Sequence, residues 1–186
     1  MARGMFEGWA NYYVLLGTSA GALIGVMALV ATLTSGGGDP SGALRGQRLF
    51  LTPIVFHLAE VLTLSAVILA AHVDTRLQLG LMGGLALFGL GFCIVVGVQI
   101  AAPTTQTSHW SDFWCYGAAP AIASLLLCAA LAWAWLGLRD AAPLVALGML
   151  ILLLTAIRNA WDLVTWLAPR RPAATRPAAL PDKPDT

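Results

Sequence analysis

Two short clusters of ionisable side chains interrupt runs that are otherwise apolar. The first is His57 and Glu60; the second is Arg158, Asn159 and Asp162. A charge near the centre of a membrane helix costs about 2.5–3.5 kcal/mol on insertion scales, so such residues are held there by a partner or by a function. His57 and Glu60 fall one helical turn apart, as do Arg158 and Asp162. Two chemistries suit the set. In the first, an ion pair between Glu60 and Arg158, with His57 and Asn159 as hydrogen-bond partners, neutralises both charges and locks two helices in register. In the second, imidazole and carboxyl groups exchange protons in an apolar interior and serve as a proton or ion relay. One arginine, two acids and one histidine form a self-contained set, which favours the lock.

The elements that carry these residues follow from composition. Apolar residues make up 59% of the 186-residue chain and charged residues only 10%. A soluble domain needs about 25% charged residues to face water, so most of this surface faces lipid. A helix rises about 1.5 Å per residue and needs about 20 residues to cross the hydrocarbon. Five segments meet that length: Trp9–Leu33, Leu49–Ala71, Leu77–Ala101, Phe113–Leu138 and Ala141–Ala168. Lipid offers no hydrogen bonds, so each must be a helix, and the expected fold is an all-α bundle of five transmembrane helices. Asp74 and Arg76 mark a very short connection that makes the second and third spans an antiparallel hairpin, and Arg139-Asp140 precede Pro143 at a second tight turn. Residues 169–186 hold five prolines and no aromatic residue, a composition expected to stay disordered.

Depth and orientation can be read from the same spans. Arg3, Arg76 and Arg139 fall on one side of a five-span chain; Arg45, Arg48, Arg170, Arg171, Arg176 and Lys183 fall on the other. The excess of basic residues places the C-terminal tail in the cytoplasm and the N-terminus outside. Counted along the helices, His57 and Glu60 lie about 12–17 Å from the cytoplasmic end and Arg158 about 15 Å from it. Opposite charges on different helices thus share a level.

Small residues supply the expected packing. Gly17, Gly21 and Gly25 recur every four residues in the first span, and Gly84 and Gly97 belong to a similar series in the third. Glycines at this spacing form a groove that another helix can approach closely. Packing of the first span on the third is expected, with a dimerisation face as the alternative. Cys93, Cys115 and Cys128 read as small packing residues. No complete catalytic motif is present, and Ser124 lacks a supporting pattern. Haem ligation fails because His57 and His72 share a helix and His109 lies in a loop. Neither a metal nor another cofactor is implied, and a net charge of +1 gives no reason to expect nucleic acid.

Three stretches carry a resemblance: Trp9-Ala10-Asn11-Tyr12-Tyr13, Leu51-Thr52-Pro53-Ile54-Val55-Phe56-His57, and Arg158-Asn159-Ala160-Trp161-Asp162-Leu163-Val164-Thr165. Together they resemble a functionally uncharacterised family of small multi-span bacterial inner-membrane proteins. The resemblance implies a bacterial inner membrane and carries no activity or site residue with it. The expected role is therefore that of a non-enzymatic membrane protein supporting or modulating another membrane component, with the polar cluster as an internal lock. A small proton- or ion-coupled transporter is the alternative. The expected partners are the lipid bilayer and either another membrane protein or further copies of the chain.

Overall fold

A computed structural model of the chain describes residues 5–6, 8–34, 52–70, 73–101, 113–137 and 141–167. The first and third connections, His72, His109, Arg139-Asp140 and the C-terminal tail lie outside the described residues. Among the described residues, five helices are long and apolar enough to cross a membrane, and there is no strand. They are α1 (Ala10–Thr34), α2 (Thr52–Leu69), α3 (Thr75–Ala101), α4 (Ala119–Trp135) and α5 (Ala141–Leu167). The all-α bundle read from composition and span length is the observed fold.

The helix ends follow local chemistry. Asp74 caps α3, its Oδ2 accepting the backbone N–H groups of Arg76 at 2.9 Å and Leu77 at 3.4 Å, which fills donors that a helix start leaves open. Gln78 closes the same hairpin from the other side, donating from Nε2 to the carbonyls of Val67 at 2.8 Å and Ile68 at 2.9 Å. The start of the fourth span departs from the expected uniform helix. Phe113–Ala118 is a wide π-helical segment that runs directly into α4. Pro120 explains its position: without an N–H it cannot complete the ladder one turn back, and its ring crowds the carbonyl there.

In the bundle, α1 packs on α2 and α5, α3 on α2 and α4, and α4 on α5, while α2 also meets α5. Helices α2 and α5 thus each pack against three others. The buried face of α5 is rich in small residues, including Ala142, Ala146, Ala156 and Ala160. The start of α1 is tied to the start of α5 by two tyrosines. Tyr13 Oη donates to the Ala142 carbonyl at 3.1 Å and Tyr12 Oη to the Ala146 carbonyl at 3.3 Å.

The glycine seam between the first and third spans is not what forms. The groove of α1 receives α2: a Cβ on Gly17 would lie 2.9 Å from Ser65 Cβ, and one on Gly21 would lie 3.9 Å from a Leu62 methyl. The Gly25, Gly84 and Gly97 positions meet nothing within 4 Å, while a Cβ on Gly117 of the π-helical segment would lie 3.5 Å from Gly97 Cα. A glycine series specifies how closely a neighbour approaches but not which neighbour, and Ser65 is small enough to fill that role. A graded response follows. Gly17→Leu should lower stability by about 1–3 kcal/mol through overpacking, Gly21→Leu should cost less, and Gly25→Leu should leave thermal unfolding in detergent unchanged. Equal losses at Gly17 and Gly25 would contradict this packing.

Candidate functional site

The interior polar site starts from two residues one turn apart on α2. Both face inward: the His57 side chain is 2% exposed and that of Glu60 is 3% exposed. His57 Nδ1 lies 3.4 Å from Glu60 Oε2. The other ring nitrogen, Nε2, lies 3.9 Å from Cys93 Sγ on α3, and that sulfur is 3.8 Å from Ser124 Oγ on α4. Four protonatable or hydrogen-bonding groups from three helices thus form a line in the order carboxyl, imidazole, thiol, hydroxyl. Counted from the helix ends that share one face, His57 lies about 8 Å deep, and Glu60 and Cys93 about 12 Å.

The neighbours of the carboxyl group set its character. Glu60 Oε1 is buried and has no hydrogen-bond partner among the described residues. Its space is provided by Gly89 of α3, where a Cβ would collide with the Glu60 carboxyl atoms. Phe92 stacks on Phe56 with ring centroids 4.0 Å apart, and its ring lies 6.0 Å from that of His57. Phe56 also packs against Phe88 at 5.5 Å. These rings cover the imidazole on one side and keep its surroundings apolar.

The second cluster divides. Asn159 is buried, and its Nδ2 donates to the Cys115 carbonyl at 2.9 Å while its own backbone carbonyl accepts from Tyr116 Oη at 3.3 Å. It therefore pins the π-helical segment to α5. Arg158 and Asp162 face outward, with side chains 52% and 44% exposed, and pair with each other at 3.0 Å. Arg158 also donates to Cys115 Sγ at 2.6 Å. The expected lock between Glu60 and Arg158 is thus corrected: the guanidinium is engaged on the outer surface and does not reach the interior carboxyl group. The reason is azimuthal. Adjacent helix residues point about 100° apart, so with Asn159 directed inward Arg158 is carried outward.

Depth along the spans relates Glu60 to Arg158 and singles out neither Cys93, which reads as a packing residue, nor Ser124, which lacks a supporting pattern. Their depths, counted from the span ends, place them near His57; nothing in their spacing supplied the angle. Chemically, the line can hold and move protons. The order carboxyl–imidazole–thiol is also that of a nucleophilic relay, but acyl chemistry needs donors aimed at an oxyanion. Cys93 lies within α3, where backbone N–H groups are used by the helix ladder, and no group of three or more His, Cys, Asp or Glu suited to a metal ion occurs among the described residues. Comparison with protein-family models, with curated proteins and with solved structures finds no match.

The fit of Glu60 against Gly89 is open to a double-mutant cycle. Gly89→Ala should destabilise the protein by about 1–3 kcal/mol in chemical or thermal unfolding and by clearly less once Glu60 is replaced by alanine. Additive losses would show that the carboxyl group does not occupy the Gly89 notch.

Proposed function

We propose that the chain is a small integral membrane protein in which His57 and Glu60 form a proton-exchanging centre, linked through Cys93 and Ser124 as a relay that carries protons across the membrane. The observation that carries this reading is the Glu60 carboxyl group, buried with His57 as its hydrogen-bond partner and one oxygen unsatisfied among the described residues. An apolar interior demands neutrality. Carboxylate with imidazolium meets that demand, and so does carboxylic acid with neutral imidazole. The two states differ by the position of one proton between Oε2 and Nδ1, and a proton on Nε2 can face the Cys93 sulfur. A lock would instead have satisfied both carboxyl oxygens with a cation, and Arg158 is engaged elsewhere.

The setting completes the proposal. The distribution of arginines supports a cytoplasmic C-terminus and an external N-terminus, and the resemblance noted above supports a bacterial inner membrane. In that orientation His57 opens the relay from the cytoplasmic face. No observation singles out a protein that the chain would support or modulate.

The test is proton movement across vesicles containing the purified protein and an internal pH-sensitive dye, driven by an imposed potassium diffusion potential. Wild type should acidify or alkalinise the lumen faster than protein-free vesicles. Glu60→Gln, which keeps the shape and removes the proton exchange, should fall by at least about tenfold with helix content preserved. Equal rates for wild type and Glu60→Gln, or for wild type and empty vesicles, would contradict the proposal.

A further inference from the structure

The outward-facing pair on α5 is a second polar feature, independent of the interior relay. Arg158 and Asp162 lie on a stripe with Leu154, Ile157 and Trp161, which are 55%, 39% and 69% exposed. In water an exposed ion pair of this kind needs no explanation and contributes little. On an apolar helix facing lipid it does, because charged side chains there require a polar partner.

Its depth identifies the layer it occupies. The guanidinium touches Cys115 Sγ, the third residue of the segment that opens the fourth span. Trp114 beside it and Trp161 between the paired residues are exposed, and tryptophan favours the headgroup boundary. Arg158 also reaches along its helix towards the C-terminal end, since its Nη1 meets Asp162 Oδ2 one turn, or about 6 Å, nearer to that end. The side chain snorkels, carrying its charge from the apolar layer to the interface.

The two side chains are rooted one turn apart on α5, Arg158 further from the C-terminal end and Asp162 nearer to it, and their charges meet side by side. A zwitterionic amine headgroup carries the complementary pair, a phosphate and a primary ammonium a few atoms apart. From this match in sign, spacing and layer we propose that Arg158 and Asp162 form a binding site for the headgroup of phosphatidylethanolamine. Arg158 donates to the phosphate with guanidinium N–H groups beyond those directed at Asp162 and Cys115, for a guanidinium carries five donors. Asp162 accepts from the primary ammonium with its second carboxylate oxygen. The ring of Trp161 packs beside the glycerol and upper acyl region. A phosphate group alone would leave Asp162 facing an anion, so an acidic lipid fits less well. Phosphatidylcholine matches the charges but has no N–H to donate.

The experiment is thermal unfolding of the full chain in detergent, titrated with phosphatidylethanolamine, its N-methylated and N,N-dimethylated forms, phosphatidylcholine and phosphatidylglycerol of identical acyl chains. Phosphatidylethanolamine should raise Tm by at least about 3 °C over phosphatidylcholine and phosphatidylglycerol, with protection declining at each added methyl group. Asp162→Asn should abolish the preference for ethanolamine over choline, and Arg158→Gln should abolish protection by both. The methylation series needs only wild type, so it decides the matter even if a variant fails to fold. Equal protection by ethanolamine and choline lipids would overturn the proposal. So would lipid-independent dimers in cross-linking that disappear in Arg158→Gln, which would assign the surface to a second copy of the chain.

Discussion

A carboxyl group inside an apolar bundle must be neutral or neutralised, and much of the arrangement around Glu60 follows from that requirement. Its bulk is housed by the missing side chain at Gly89. Its hydrogen-bond partner is His57 on the same helix, so the two are held as a unit. The Phe56–Phe92 stack covers one side of the imidazole, and Cys93 lies beside its second nitrogen. Replacing all of such a set by well-packed apolar residues is often tolerable, whereas removing one partner and stranding the other is costly. The short distance between α2 and α3 at Gly89 is therefore tied to the polar residue opposite it.

Two polar clusters that looked like one illustrate how surroundings set the role of a charge. Arg158 and Asp162 share a helix with Asn159 but occupy a different medium. The buried amide of Asn159 serves the backbone of the π-helical segment, while the ion pair lies at the surface, where a long arginine side chain can reach the headgroup layer. The π-helical segment joins the two. By placing Cys115 next to α5, it receives the amide of Asn159 at its carbonyl and the guanidinium of Arg158 at its sulfur.

The fold was largely legible because lipid imposes a length and a periodicity on every span. The spans, the tight hairpin at Asp74 and the proline in the first turn of α5 could be read from residue types alone. Angle could not. Glu60 and Arg158 match in depth, yet with Asn159 turned in Arg158 points to the outer face. The sequence of α5 does carry this angle, because Leu152, Ala156, Asn159 and Leu163 recur at three- and four-residue spacing on its buried side. The partner of the Gly17 groove was illegible for another reason: small residues occur on several helices, and only the assembled bundle decides that Ser65 is the one opposite. The π-helical segment had one signal, Pro120, which was absorbed into an apolar run.

The central claim is that Glu60, with His57, takes up and releases a proton. Infrared difference spectroscopy of the purified protein during a pH titration reads this directly, because a protonated carboxyl group has a C=O stretch that a carboxylate lacks. The account expects such a band in wild type, lost in Glu60→Gln and shifted in frequency when His57 is replaced by phenylalanine. Identical difference spectra for wild type and Glu60→Gln would mean that this carboxyl group exchanges no proton, and would contradict the account.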